Sequence, residues 1–240
     1  MPSLAPYDRK LDYSYAPGIF PSMEAVKKAP ELVRRLLISA QAEDSEGVAA
    51  LTELCRARNI RVETADKALA RLSGKGNCYA AAVFEKRPGV LNPEAAHIVL
   101  HHPSDAGNLG TILRTADAFG VPVLLSEGCA DPYGEKTVRA SMGAVFRTPP
   151  MQGTAEEILA ACAEARVPLC ATALSDRSRD IRQLRLSDYA LVIGSEGQGV
   201  GAAYLEAAAE LGIIPMEPRC ESLNAAAAAA VLLWQLRQGL

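Results

Sequence analysis

The stretch HIVLHHPSDAGNLGTILRTADAFG (residues 97–120) decides the fold class. An apolar run over 97–102 reads as a strand, the Pro, Ser, Asp and Gly that follow read as a turn, and residues 108–119 read as a helix. Working outward, the alternation repeats: strand 121–126, helix near 134–141, strand 144–148, helix 154–165 and strand 167–172. It continues as helix 178–185, strand 189–194, helix 201–210, strand 212–216 and a last helix from about residue 224. Continuous apolar strands separated by amphipathic helices predict an α/β domain with a parallel sheet covered on both faces. Ligands of such sheets sit outside the carboxyl ends of strands, so the residues after strands 97–102, 189–194 and 212–216 are the ones to search.

Upstream, the alternation is shorter. Arg34–Ser39 suits a strand, Ser45 caps a helix running through Arg58, Ile60–Glu63 is a short strand, Thr64–Leu72 is helical and Asn77–Phe84 closes the unit as a strand. The segment Glu85–Glu94 (EKRPGVLNPE) concentrates charge with Pro and Gly, as an interdomain linker does. The expected domains are therefore 1–92 and 93–240. Charge divides along the same line: residues 1–92 carry 14 Lys/Arg against 11 Asp/Glu, and residues 93–240 carry 11 against 17, for a chain total of −3. If a nucleic acid is the partner, the N-terminal domain is its grip.

Of the 240 residues, 49% are hydrophobic and 22% charged, the profile of a globular chain and not of a disordered or fibrous one. The N-terminal stretch has no apolar signal core and the apolar run Ala225–Trp234 is too short to span a bilayer, so a cytoplasmic protein without a membrane partner is expected. Cys55, Cys78, Cys129, Cys162, Cys170 and Cys220 form no CxxC pair and read as reduced core thiols. His97, His101 and His102 have no acidic or Cys partner at regular spacing, so no metal is expected.

Three segments carry the chemistry. In the first, Asn108 and Arg114 are six positions apart and lie on different faces of a helix at about 100° per residue. Either Asn108 reaches across a cleft from the helix start, or it caps the helix while Arg114 is a solvated surface residue. In the second, LVIGSEGQGVG (residues 191–201), a strand runs into glycines that let a ligand approach the backbone closely. Gly197-x-Gly199-x-x-Ala202 with Glu217 also fits a dinucleotide fingerprint, which keeps a nicotinamide-dependent oxidoreductase as an alternative, although only one helix remains after strand 212–216. In the third, Ile214-Pro215-Met216 is followed by Ser222-Leu223-Asn224 and a poly-alanine run, and Ser222 or Asn224 can simply cap the last helix.

In order and spacing, N-x-G-x-I-x-R-T-A from Asn108, I-G-S-E-G-x-G from Ile193, I-P-M from Ile214 and S-L-N from Ser222 together resemble the SpoU/TrmH family of RNA ribose methyltransferases, over residues 97–240. Arg139–Ala144 (RASMGA) resembles the family's connecting segment, and residues 1–92 resemble, more loosely, the ribosomal-protein-like (L30e-like) substrate-binding domain often fused in front. One departure is Ala226, where the family often has a polar residue two positions after the third-motif Asn.

The resemblance implies a C-terminal trefoil knot, a homodimer, and transfer of a methyl group from S-adenosylmethionine to a ribose 2′-hydroxyl of ribosomal or transfer RNA. A catalytically silent RNA-binding module on the same fold is the other alternative. By the same resemblance, Thr172, Gly194, Gly197, Ile214, Met216 and Leu223 hold the donor. Arg114 meets the acceptor, and Asn108, Glu196, Ser222 and Asn224 shape the catalytic site. A guanidinium gives up its proton only above about pH 12, so Arg114 is expected to clamp a phosphate and stabilise developing alkoxide charge instead of acting as a base.

Overall fold

The computed structural model describes residues 5–42, 45–73, 78–195, 197–217, 219–220 and 222–238. No helix among them is long and apolar enough to cross a membrane. The chain forms two compact units: Met1–Arg87 with Asp131–Arg147, and Pro88–Ala130 with Thr148–Leu240.

The first unit opens with β1 (Tyr13–Pro17), α1 (Ile19–Lys28), β2 (Val33–Ile38), α2 (Glu46–Ala57), β3 (Arg61–Thr64), α3 (Asp66–Ser73) and β4 (Ala80–Glu85). The sheet order is β1-β4-β2-β3, with β4 antiparallel to β1 and β2, and β2 parallel to β3. Side chains alternate between its two faces. Leu36, Ile38, Ala80, Ala82 and Phe84 join the core built with Ala25, Val26, Val48 and Leu51, whereas Leu37, Ala81 and Val83 pack with Leu69 and Leu72. As expected, Ser45 caps α2 by accepting from the Val48 N–H. The pair β1 and α1 was not anticipated. Pro21 masks the helix in the sequence, yet it falls in the first turn of α1, where its missing N–H has no intrahelical partner to lose. The buried Ser22 hydroxyl ties the two elements to the sheet, donating to the Ala16 carbonyl at 2.7 Å and accepting from the Ala82 N–H at 2.8 Å.

The second unit begins with β5 (His97–Leu100), α4 (Ala106–Phe119) and β6 (Val123–Leu125). The chain then leaves it for α5 (Glu135–Ala140) and α6 (Ala144–Arg147), which belong to the first unit, and returns with β7 (Met151–Gln152) and α7 (Ala155–Glu164). It finishes with β8 (Leu169–Thr172), β9 (Arg179–Asp180), β10 (Ala190–Ile193), α8 (Ala202–Ala207), β11 (Glu210–Ile213) and α9 (Ala225–Arg237). All seven strands are parallel, in the order β7-β6-β5-β10-β8-β11-β9. The expected α/β class with a parallel sheet is thus observed. Val99, Leu124, Ala171 and Val192 pack on one face against Ile158 and Cys162 of α7 and Tyr204 of α8.

Several expectations change. Residues 144–148, read as a strand, contain α6, because the three-residue apolar run Ala144–Phe146 cannot be told from one helical turn by periodicity. Residues 178–185, read as a helix, hold β9, which pairs with β11, and then a 3-10 turn at Ile181–Gln183 capped by Asp180. Helix 201–210 ends at Ala207 and strand 212–216 ends at Ile213, since Pro215 has no N–H to give a ladder. The boundary near 92 lies at 87/88 instead, and Asp131–Arg147 packs with the first unit because Tyr133, Val138, Val145 and Phe146 are members of its core. Nor is Glu85–Glu94 a free linker: the Gly89 N–H donates to the Pro150 carbonyl at 3.0 Å. Of the thiols, Cys220 is exposed and Cys78 half-buried, while burial pushes Cys55 and Cys170 up to about 11.

Candidate active site

The carboxyl ends of β8, β10 and β11 meet at a cavity of about 430 Å³. Thr172 closes β8 and donates its hydroxyl to the Val192 carbonyl of β10 at 3.0 Å. Gly194 follows β10, Ile214 and Met216 follow β11, and Ser222, Leu223 and Leu232 complete the wall. The main-chain groups of Ile214 and Leu223 make no hydrogen bond to any described residue, which leaves donors and acceptors facing a ligand-sized space. Leu174, 76% exposed, sits at the cavity wall with Leu223, so apolar surface remains for a ligand to cover.

The glycine-rich segment after β10 folds back on itself. Ser195 bridges Gly199, whose N–H donates to the Ser195 carbonyl at 3.0 Å, and the Ser195 hydroxyl accepts from the Gln198 N–H at 3.1 Å. Gly199 is left-handed at φ 66°. Gly194 has another reason to lack a side chain: a Cβ there would stand 2.0 Å from the Gly199 carbonyl carbon. The turn is therefore closed by its own backbone, and the helix behind it, α8, has only six residues, so this segment lacks the long helix whose N-terminus cradles a pyrophosphate in dinucleotide folds.

A second cavity, of about 460 Å³, shares Ser195, Gln198 and Ala225 with the first and is otherwise lined by His102, Pro103, Ser104, Asp105, Asn108, Gly128 and Gly197. Gly197, expected at the donor, is on this side. Asp105 caps α4 by accepting from the Asn108 N–H at 2.8 Å, so Asn108 is not the cap. Its amide instead accepts from the Asn224 amide at 3.2 Å, joining the first turns of α4 and α9. Asn224 is itself the cap of α9, accepting from the N–H groups of Ala226 and Ala227. Capping and cleft-crossing thus coexist at this residue. Ser222 lines the first cavity. Arg114 is exposed on α4 and lines neither cavity, and Glu196 lies outside the described residues.

The residues the sequence left unmarked are Ser195, Gln198, His102 and Gly128, which follow strand ends and so carry only a positional signal. His102 takes the left-handed conformation at φ 62°, which costs a non-glycine residue about 1–2 kcal/mol. Its ring lies 4.1 Å from that of His101 and against Gly128, whose missing Cβ would stand 2.5 Å from His102 Nδ1. His101, His102 and Glu127 offer ligand atoms within 4.8 Å of one another, a grouping invisible in their spacing. Two of the three are committed: His101 Nδ1 pairs with the Ser126 hydroxyl at 2.8 Å and Glu127 accepts from the Ala155 N–H at 2.6 Å. Burial, with His102 beside it, holds His101 below the usual imidazole range.

The profile of the SpoU rRNA Methylase family matches residues 95–234. The 23S rRNA (guanosine(2553)-2'-O)-methyltransferase RlmP of Bacillus subtilis is 37% identical over 134 residues, which cover 55% of this chain and 54% of that protein. The 23S rRNA (adenosine(1067)-2'-O)-methyltransferase of Streptomyces laurentii is 30% identical over 203 residues, covering 76% of this chain and 72% of that one. The AdoMet-bound rRNA methyltransferase from Sinorhizobium meliloti superposes at a TM-score of 0.81 with 28% identity, over 95% of this chain and 88% of that chain. The aligned part amounts to about half the length of the Bacillus protein. With the family profile spanning more than half of its residues, and its matched segment ending at the strand ends and final helix that enclose the two cavities, the chain belongs to the SpoU rRNA methylase family.

Proposed function

We propose that this chain transfers a methyl group from S-adenosylmethionine to a ribose 2′-hydroxyl of a structured ribosomal or transfer RNA. The observation that carries the reading is the pair of cavities, one largely apolar and walled by Ile214 and Leu223, whose main-chain groups bond to no described residue, and one lined mostly by polar residues, meeting at Ser195, Gln198 and Ala225. The donor, when bound, supplies an electrophilic sulfonium methyl. Thr172, Gly194, Ile214, Met216 and Leu223 hold it, and Gly197 serves the acceptor side. Asn108 and Asn224 brace the junction, with Ser222 on the donor side, and Glu196 is assigned to the same site from its place in the sequence between Ser195 and Gly197. From the exposed face of α4, Arg114 contacts RNA phosphate and offsets charge developing on the acceptor oxygen. Alignment of the hydroxyl with the methyl supplies much of the rate.

The test is mass spectrometry of nuclease-digested RNA after reaction with S-adenosylmethionine: the added methyl is expected on the ribose fragment. A methyl on the base overturns the reading.

The finer architecture belongs to the same proposal. A trefoil knot in the C-terminal unit is supported by β10 and β11, which come late in the chain yet lie between strands laid down earlier. An L30e-like, RNA-holding first unit is supported by its small mixed sheet and by the excess of Lys/Arg over residues 1–92. The free cysteines support a cytoplasmic place of action. A homodimer is supported by the outer face of α9, where Val231 is 41% and Trp234 58% exposed and Phe119 of α4 meets the Trp234 ring edge-on. Light scattering is expected to give twice the 25.4 kDa chain mass, and Trp234→Glu to shift the particle to a monomer. A wild-type monomer at micromolar concentration contradicts the dimer.

A further inference from the structure

Methyl transfer to a hydroxyl releases a proton, and none of the residues assigned so far accepts it. The acceptor-side cavity supplies a candidate. Two ionisable side chains line it among the described residues, Asp105 and His102. The Asp105 carboxylate is occupied at the start of α4, accepting from the Asn108 N–H. His102 is half-buried and makes no hydrogen bond to any described residue. Its position is nonetheless fixed, by a left-handed backbone at φ 62°, by the His101 ring at 4.1 Å, and by Gly128, itself left-handed at φ 77°, whose lack of a side chain gives the ring its room. An imidazole held by packing and strain, with no hydrogen bond to a described residue, lines the space where the acceptor enters. That arrangement is costly as structure and useful as chemistry.

We propose that His102 is a catalytic residue that accepts the proton of the ribose hydroxyl, an inference that rests on the methyl-transfer reading of the two cavities. The hydroxyl oxygen forms its bond to the methyl carbon as the carbon–sulfur bond breaks. The electron pair of that bond stays on sulfur, giving a neutral thioether, and the hydroxyl proton passes to the imidazole. The positive charge thus leaves the sulfonium and ends on His102. The charged and titratable neighbours are His101, paired with Ser126, Glu127, bonded to the Ala155 N–H, and Asp105, at the α4 cap. Arg114 stands on the exposed face of α4, and Glu196 lies outside the described residues. Glu127 favours the imidazolium that forms, and His101 beside it opposes that charge.

The test is the rate of methyl transfer by the full chain, read together with donor affinity. In single-turnover reactions on unmodified large-subunit ribosomal RNA, His102→Gln is expected to be about 100-fold or more slower with its donor dissociation constant unchanged. Wild-type speed in that variant overturns the assignment. Failure of S-adenosylmethionine to bind in calorimetry has a different meaning, since it removes the methyl-transfer reading itself and this inference with it.

Discussion

Gly194→Ala is expected to weaken binding of S-adenosylmethionine by about 100-fold or more, equivalent to about 2.7 kcal/mol, and Gly194→Val to abolish it. The reason is space and not backbone freedom. A Cβ at this position would stand 2.0 Å from the Gly199 carbonyl carbon, 2.1 Å from its oxygen and 2.3 Å from the Val200 nitrogen. All three are main-chain atoms, so no side chain can swing aside. Either the end of β10 shifts or the turn opens, breaking the Ser195–Gly199 bridge. Both movements displace Ser195 and Gln198, the wall common to the two cavities. Because Gly194 lies beyond the β10 ladder, the fold is expected to survive, with a near-wild-type circular dichroism spectrum and no binding heat in calorimetry. Donor affinity within threefold of wild type would show that the cavity at the ends of β8, β10 and β11 is not the donor site.

Arg114→Ala is expected to do the reverse: turnover falls by about 100- to 1,000-fold while donor affinity stays within twofold, as for loss of an electrostatic contact made in the transition state. Arg114 is exposed on α4 and lines neither cavity, so nothing in donor binding depends on it. If it holds a phosphate, the slope of log affinity for RNA against log salt becomes shallower by about one unit in the variant. Arg114→Lys is expected to recover RNA affinity more than rate, since an ammonium keeps the charge but loses the planar pair of donors. Equal loss of donor binding in Arg114→Ala and Gly194→Ala would refute the division of labour.

Much of this site is legible in the sequence because its parts are local. Apolar runs such as Ile98–Leu100 and Leu191–Ile193 are buried on both sheet faces and announce strands, and the residues after them fall at the carboxyl edge by topology alone. Thr172, Gly194, Ile214, Met216 and Leu223 do line one cavity. What stays hidden is whatever depends on two distant segments meeting. The Asn108–Asn224 contact spans 116 positions, and His102 and Gly128 come from loops after different strands. Their pairing follows from the neighbouring places of β5 and β6 in the sheet, which no periodicity encodes. Short elements fail for a related reason: α6 and β9 are too brief for their pattern to outvote local composition, and neighbours decide them.

The excursion of Asp131–Arg147 into the first unit bears on how the protein is made. The core under β2 and β4 includes Tyr133, Val138, Val145 and Phe146, with Phe84 and Phe146 edge to face at 4.9 Å, and the Ser14 hydroxyl donates to the Tyr133 carbonyl. On a ribosome adding about 5–20 residues per second, the first 87 residues emerge seconds before these partners exist. During that interval Phe84 and its neighbours face water or a chaperone. The N-terminal unit therefore cannot finish its core until Asp131–Arg147 has been made, and its maturation is timed by translation of β5, α4 and β6, which belong to the unit that follows.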